Sequence, residues 1–212
     1  MRPSRRLPLE ELAPYLLDLP DSPIPLDWRS VFANANPVEI EVGFGKGLFL
    51  VRAAQSCPGV NFVGVEISRK YQLFTATRLA KRALTNVRLA KGDARGFLRD
   101  RVLASSVQAI HVYFPDPWWK KRHLKRRVFV PDFVIQCERV LMPSGKLHIA
   151  TDVEAYFAVI TALMARHSQM QPTPAPGAPE AQHDLDYLTN FERKFRIQGR
   201  PIYRAIYDRH IE

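Results

Sequence analysis

The stretch Val38–Gln55, VEIEVGFGKGLFLVRAAQ, joins an apolar run, a glycine-rich turn and a helical period without a spacer. We predict a β-strand over Val38–Gly43 and an α-helix over Leu48–Gln55. The glycines between them permit a tight turn, and they let a ligand approach the backbone where the free N–H groups of the helix point outward. This strand–turn–helix unit indicates an α/β protein.

The same alternation continues along the chain. Short apolar runs predict strands, and the amphipathic periods between them predict helices. The further predicted strands are Val60–Glu66, Val87–Leu89, Ala109–Phe114, Gly145–Thr151 and Ile202–Tyr207, and the further predicted helices are Ser68–Leu84, Arg95–Leu103, Asp132–Met142, 153–167 and Phe191–Phe195. Strands that alternate with helices imply parallel pairing and right-handed crossovers. We therefore predict a single-domain, doubly wound, mostly parallel sheet with a short amino-terminal arm.

Proline marks the two segments that depart from this pattern. Residues 1–30 contain six prolines, which prevent a long helix, so we predict a partly flexible amino-terminal arm there and one domain over 31–212. The stretch Gln171–Ala181, QPTPAPGAPEA, is predicted to be a loop. Cys57 and Cys137 are far apart in apolar surroundings, so we expect two core thiols and no disulfide.

The charge balance favours a polyanionic partner. The 212 residues include 31 Lys and Arg against 21 Asp and Glu, a net charge of +10, and six of the eight residues in Lys120–Arg127 are Lys or Arg. A block of like charge on an ordered surface favours nucleic-acid binding over a merely solvated face. No segment approaches the roughly 20 apolar residues of a membrane span, so we expect a cytoplasmic protein with no membrane partner.

Acidic residues end three successive predicted strands. Glu41 precedes the glycine turn that contains Gly43 and Gly45, Glu66 ends the second strand, and Asp93 follows the third. A glycine turn followed by an acid about 20 residues later is typical of adenosine-containing ligands, both dinucleotides and S-adenosylmethionine. Glu41 would repel a pyrophosphate but attract an ammonium group, which favours S-adenosylmethionine. The alternative is that each acid only caps the following helix.

The fourth strand leads into Ile110–Arg127, IHVYFPDPWWKKRHLKRR. Proline on both sides of Asp116 fixes φ at 115 and 117 and biases Asp116 itself toward extended geometry. A carboxylate held beside an aromatic residue suits a flat heterocycle. An Asp-Pro turn with a packing tryptophan would explain the same residues without a ligand, and Trp119 could stack on a base or, as we favour, pack beneath the loop.

Taken together, these motifs resemble the bacterial tRNA (guanine-N7)-methyltransferases from about residue 38 to 208. The most specific parts are Phe114–Trp118 followed by the block Lys120–Arg127, and Thr189–Glu192 followed by Gly199–Tyr203. The resemblance implies a class I, Rossmann-like methyltransferase fold and methyl transfer from S-adenosylmethionine to N7 of a guanine in the variable loop of tRNA. Trp119, Asn190 and the proline-rich loop depart from the usual family pattern.

The resemblance also implies roles for individual residues. Glu41, Glu66, Asp93 and Asp116 would line the cofactor site, together with the glycine turn. The residues implied to contact the target guanine or its nucleotide are Lys120, Asp152, Thr189, Asn190, Phe191 and Glu192, and those implied to bind RNA are Arg122, His123, Lys125, Arg126 and Arg127.

Guanine N7 carries an in-plane lone pair, so its methylation requires no prior deprotonation. We therefore expect catalysis by positioning and by electrostatic stabilisation, with Asp116 as the catalytic residue and Asp152 and Glu192 as acceptors for the N1–H and amino edge. The six histidines show no close ligand spacing, and two cysteines are too few for a zinc ribbon, so we predict no metal. The partner would be tRNA and the enzyme a monomer or homodimer.

Two other functions compete with this interpretation. The Asp-Pro-Trp turn after the fourth strand also resembles that of exocyclic-amine methyltransferases, although that class leaves Thr189–Glu192 unexplained. An RNA-binding module on a degenerate methyltransferase fold would have lost glycines or acids from the cofactor site, and none is lost.

Overall fold

The computed structural model describes residues 7–19, 22–174 and 189–210. Its strands are β1 Leu16–Leu17, β2 Val38–Val42, β3 Asn61–Glu66, β4 Val87–Lys91, β5 Val107–Tyr113, β6 Leu141–Thr151, β7 Gln171–Thr173 and β8 Tyr203–Asp208. Its α-helices are α1 Leu9–Leu12, α2 Trp28–Phe32, α3 Leu48–Ser56, α4 Arg69–Ala80, α5 Ala94–Arg101, α6 Pro131–Val140, α7 Glu154–His167 and α8 Asn190–Ile197. Two 3-10 helices, Ala13–Tyr15 and Lys121–Arg126, complete the elements within those ranges.

The strands form one sheet in the order β1-β4-β3-β2-β5-β6-β8-β7. Pairing is parallel from β1 through to β6, and it is antiparallel from β6 to β8 and from β8 to β7. The strand order reverses at β2, because β3 and β4 lie on one side of β2 and β5 and β6 lie on its other side. In parallel sheets such a reversal leaves a crevice in which ligands bind. The predicted doubly wound, mostly parallel sheet is confirmed.

Helices cover both faces because each strand of the parallel part buries side chains on both sides. One core joins the inward residues of the central strands, such as Ile40 and Ile110, to α2, α5, α6 and α7. The other core lies under α1, α3 and α4 and includes Leu50, Phe62 and Leu89. The helices therefore fix the sheet from two sides and leave the carboxyl ends of its strands free for a site.

The amino-terminal segment contributes to both cores. Leu12 is fully buried and Tyr15 is nearly so, while β1 pairs in parallel with β4 at the edge of the sheet. Trp28 and Phe32 of α2 pack into the other core. The described part of residues 1–30 thus lies over the domain, and the division at residue 30 stays a prediction.

Several sequence expectations were wrong in detail; the helix predicted over Ser68–Leu84, for example, ends at Ala80. Gln171–Thr173 forms an edge strand, although the whole of Gln171–Ala181 was predicted to be a loop; the outermost strand tolerates Pro172 because one side of it needs no ladder hydrogen bonds. Residues 175–181 lie outside the described ranges. Cys57 is exposed at the end of α3, whereas Cys137 is buried as expected. The helix predicted over Asp132–Met142 ends at Val140, and β6 begins at once.

None of the helices in the described ranges is both long and apolar enough to cross a membrane.

Candidate active site

Parallel pairing brings the predicted strand-end acids to one edge of the sheet. Glu41 of β2 lies in register with Gly64 of β3 and with His111 of β5. Glu66 ends β3, and Asp93 follows β4 on the far side of β3. The Asp116 loop follows β5, so Glu41, Glu66 and Asp116 belong to three adjacent strands.

The turn after β2 is a left-handed glycine cradle. Gly43, Gly45 and Gly47 have φ of +72°, +49° and +64°. A Cβ at Gly43 or Gly45 would meet no atom within 4 Å, whereas one at Gly47 would lie 2.2 Å from a Thr75 methyl. Gly47 is therefore required by packing against α4. Gly43 and Gly45 face open space, where a ligand can approach the backbone.

Glu66 holds this cradle against the start of α4. Its carboxylate accepts hydrogen bonds from the Gly45 N–H at 3.0 Å and from the Ser68 N–H at 2.9 Å. Each carboxylate oxygen can accept a second hydrogen bond. Thr75 adds a hydrogen bond from its hydroxyl to the Gly45 carbonyl at 3.1 Å, so the loop is fixed before any ligand binds.

Glu41 is a buried acid, and one of its carboxylate oxygens lacks a hydrogen-bond donor among the described residues. It is 4% exposed, and its Oε2 atom is buried without a hydrogen-bond partner among the described residues. Burial raises the pKa of Glu41 well above its ordinary value, and the nearby Glu66 carboxylate raises it further. A buried carboxyl group without a cation is costly, so this position suits a positively charged ligand group.

Asp93 does not cap the helix that follows it. It occupies the N-cap position of α5 but makes no side-chain capping hydrogen bond, and instead pairs with Arg95 at 3.3 Å. The Asp93 side chain is 54% exposed, so this ion pair contributes little stability. A Cβ at the preceding Gly92 would meet nothing within 4 Å, which leaves room beside Asp93.

The loop that carries Asp116 is bounded by two strained residues. Phe114 and Trp118 have φ of 53° and 42°, in the left-handed region that bulky side chains rarely adopt. Asp116 itself is exposed at the tip between Pro115 and Pro117. The predicted rigid placement of this carboxylate is therefore accompanied by backbone strain on both sides of it.

Helix α8 lies beside this loop and forms its aromatic neighbour. Phe114 contacts Phe195 at 5.5 Å and Phe191 at 6.2 Å between ring centroids. Phe191 is 53% exposed, and Thr189 caps the helix by accepting the Glu192 N–H at 3.0 Å. The structure therefore brings the predicted Thr189–Glu192 segment to the Asp116 loop; the side chain of Asn190 lies outside the described part.

Two arginines that the sequence interpretation missed bind the predicted guanine acceptors. Arg200 pairs with Asp152, and Arg204 Nη2 donates to Glu192 Oε1 at 2.6 Å. Glu192 is 2% exposed, so Arg204 neutralises a buried charge. The sequence shows only that a charged residue lies within the predicted strand Ile202–Tyr207; the structure shows that the Arg204 side chain is 19% exposed and so benefits from an acidic partner.

The cationic block divides into two parts. Lys121–Arg126 is a 3-10 helix without buried residues, and Lys120, Arg122, Lys125 and Arg126 are exposed. His123 packs edge-on against Trp118 at 5.4 Å, and the Arg126 guanidinium lies 5.1 Å from the centroid of the Trp118 ring. This part presents its charge to solvent.

Arg127 points inward instead. Its Nε donates to the Pro117 carbonyl at 2.6 Å, and its guanidinium lies 5.0 Å from the Trp119 ring centroid and 5.4 Å from that of Tyr156. Trp119 packs edge-on against Tyr156 at 6.2 Å but remains 52% exposed. In the described ranges, no group of three His, Cys, Asp or Glu residues is arranged to hold a metal ion.

This fold, with acids at the ends of adjacent strands, agrees with a methyltransferase. The sequence matches the family described as "Putative methyltransferase" over residues 35–205. Among curated proteins, a tRNA (guanine-N(7)-)-methyltransferase of Rhodopirellula baltica is 41% identical over 94% of this chain and 76% of its own length. One from Geobacter metallireducens is 33% identical over 96% of this chain and 97% of its own. The chain belongs to the tRNA (guanine-N(7)-)-methyltransferase family, as its motifs suggested.

Solved structures agree on the fold. The 16S rRNA methyltransferase KamB superposes with a TM-score of 0.60 over 87% of this chain and 92% of its own, at 16% identity. The aminoglycoside resistance methyltransferase NpmB1 gives 0.58 over 84% and 89%, also at 16% identity. At such low identity these similarities support the architecture and not a substrate.

Proposed function

We propose that this protein transfers a methyl group from S-adenosylmethionine to N7 of a guanine in the variable loop of tRNA and so makes 7-methylguanosine. We further propose that it acts in the cytoplasm as a monomer or homodimer. Family membership supports the reaction. The structural observation that carries it is the buried Glu41 carboxyl group, whose Oε2 has no partner among the described residues, beside the open glycine cradle. This arrangement suits the ammonium of a methionine moiety.

The residues present fit this cofactor at four points. Glu41 would bind the ammonium group, and Gly43 and Gly45 leave space for the methionine chain. Glu66 keeps acceptor capacity for ribose hydroxyls after its two backbone hydrogen bonds, and Asp93 can accept from an adenine amino group. S-adenosylmethionine supplies an electrophilic methyl group on a sulfonium centre, so the protein needs no metal or nucleophile of its own for methyl transfer to N7.

The protein's contribution is positioning and charge stabilisation. Asp116, held by two prolines at the end of β5, would offset the positive charge that passes to the base as N7 is methylated. Phe191 and Lys120 are exposed near this loop and would contact the guanine nucleotide, with Thr189 and Asn190 at the start of α8 beside them. Asp152 and Glu192 would accept from the N1–H and amino edge, in orientations that Arg200 and Arg204 set.

The exposed part of the cationic block is the proposed RNA contact. Arg122, His123, Lys125 and Arg126 lie on a short helix directly after the Asp116 loop, so phosphate binding there would bring the target base to the carboxylate. Cations on this side neutralise phosphates and release condensed counterions.

The test is to incubate the protein with labelled S-adenosylmethionine and bulk tRNA that lacks the modification, and then to map the label by cleavage selective for 7-methylguanosine. We expect label at a guanine of the variable loop. The matched control, Asp116→Ala, should lose more than about tenfold in turnover while it keeps its fold, because Asp116 acts on the reacting base. Label on an exocyclic amine, or wild-type turnover by Asp116→Ala, would contradict the proposal.

A further inference from the structure

The Asp116 loop is held in a conformation that its own sequence does not favour. Phe114 and Trp118 both adopt positive φ, and neither is glycine, asparagine or aspartate, the residues that tolerate this region best. Such strain persists only where the surrounding structure holds it in place. Each end of the loop therefore needs an identifiable restraint.

The amino side is restrained by the sheet and by α8. The Phe114 N–H donates to the Ala150 carbonyl of β6 at 2.7 Å, and its ring packs against Phe195. These contacts place Phe114 but do not reach the residues after Asp116.

The carboxyl side is restrained by Arg127. Its hydrogen bond to the Pro117 carbonyl fixes the peptide that links Pro117 to the strained Trp118, one residue after the acid. Its guanidinium also lies against the rings of Trp119 and Tyr156, and Tyr156 is a fully buried core residue of α7. Arg127 thus ties the loop to a rigid helix.

The environment of Tyr156 agrees with this placement. Burial raises the pKa of Tyr156 to about 12, the positive charge of Arg127 opposes that rise, and the negative charge of Asp116 adds to it. The ring is therefore within electrostatic reach of both groups, so Arg127 and Asp116 share one local environment.

We infer that Arg127 is a positioning residue that clamps the Asp116 loop onto α7, and not one of the phosphate-binding cations of the block. This inference rests on the proposed role of Asp116 in the reaction. Its geometry requires arginine, because Lys cannot donate from a planar group that also stacks on two rings. Arg122, which is exposed on the 3-10 helix Lys121–Arg126, offers the contrasting case of a cation directed to solvent.

The experiment compares Arg127→Lys, Arg127→Gln and the matched control Arg122→Gln. It measures kcat, KM for tRNA, cofactor affinity, thermal unfolding and the slope of tRNA affinity against salt concentration. For Arg127→Lys and Arg127→Gln we expect kcat to fall by about tenfold or more, because a misplaced group loses its effect steeply. Their salt slope and cofactor affinity should match those of the wild type. Arg122→Gln should instead flatten the salt slope by about 0.7–0.9, the value for one phosphate that is no longer neutralised.

The opposite pattern would overturn the inference. If Arg127→Lys behaved like the wild type while Arg127→Gln lost salt slope, Arg127 would be a phosphate contact. Unchanged kcat in Arg127→Lys would also refute the clamp, and this variant decides the matter even if Arg127→Gln fails to fold. A wild-type protein that makes no 7-methylguanosine would refute the proposed function instead, so the two failures are distinguishable.

Discussion

At the scale of single residues, the site is built from acids whose environments differ. Glu66 has hydrogen-bond donors from the backbone, Asp93 is exposed beside Arg95, and Glu41 is buried with no donor to its Oε2 among the described residues. Burial raises the pKa of Glu41 well above its ordinary range. Glu41 therefore gains most from a cationic ligand.

The pH dependence of cofactor affinity follows from this environment. Below its raised pKa, Glu41 is protonated in the ligand-free protein and attracts an ammonium group poorly, so affinity for S-adenosylmethionine should fall as the pH is lowered through that pKa. Glu41→Gln should bind more weakly and lose most of this dependence. Calorimetric titration across the pH range measures both effects. Glu39→Gln, two residues earlier on the same strand, is the control and should keep the wild-type pH dependence; a pH-independent wild type would contradict the assignment.

At the scale of elements, a short 3-10 helix follows the Asp116 loop and faces solvent. Lys121–Arg126 buries none of its residues, and its last turn carries His123, Lys125 and Arg126. An element with so little burial is not retained for core stability. Because this helix follows the Asp116 loop so closely, a phosphate bound by its cations would lie near the Asp116 carboxylate.

Removing charge from this helix should weaken tRNA binding in a salt-dependent way. For the double variant Arg122→Gln, Lys125→Gln we expect the slope of log affinity against log salt to fall by about 0.7–0.9 for each phosphate that the variant no longer neutralises. Filter binding at several salt concentrations measures it. The control is Arg166→Gln, which removes one charge from the last turn of α7. Helices that follow these parallel strands run back toward the opposite edge of the sheet, so this charge lies toward the edge opposite the Asp116 loop. An equal decrease of slope in Arg166→Gln would mean that the effect reflects net charge alone.

At the scale of the whole molecule, a cluster of polar side chains lies on the central strands of the sheet. His111 contacts Glu39 at 2.8 Å and the Tyr113 hydroxyl at 2.9 Å, and its ring stacks on His148 at 4.8 Å. Burial, followed by the charges of His111 and Lys146, lowers the pKa of His148, and Glu39 and Asp208 oppose this effect; the resulting pKa is about 4. The folded protein therefore keeps His148 neutral at pH values where an unfolded chain would protonate it.

Stability should consequently fall as the pH is lowered from about 6.5 to about 4. In that window the unfolded state binds a proton at His148 and the folded state does not, so acid favours unfolding. Thermal unfolding at successive pH values should show a shallower decline for His148→Gln than for the wild type. His167→Gln, at the exposed end of α7, is the control and should follow the wild type. Parallel curves for the wild type and His148→Gln would contradict this origin of the acid sensitivity.

Much of the fold and part of the site could be predicted from local patterns. The alternation of Val38–Gln55 and its successors predicted the parallel sheet, and the position of Glu41, Glu66 and Asp116 after strands predicted a shared edge. The start of β6 at Leu141 and the edge strand at Gln171 could not be predicted, because the partners that pair with these residues are distant in sequence.

From periodicity alone the sequence predicted a mostly parallel α/β sheet with acids at the ends of its strands. The particular reaction was implied by the resemblance of its motifs to the tRNA (guanine-N7)-methyltransferases. The tertiary structure decided how individual charges are used. Arg127 belongs to a cationic block by sequence but meets Pro117 and Tyr156 in the fold, and Arg204 reaches Glu192 only when β8 and α8 pack together. The sequence specifies which side chains are charged, whereas the direction and the partner of each charged side chain depend on contacts between segments far apart along the chain.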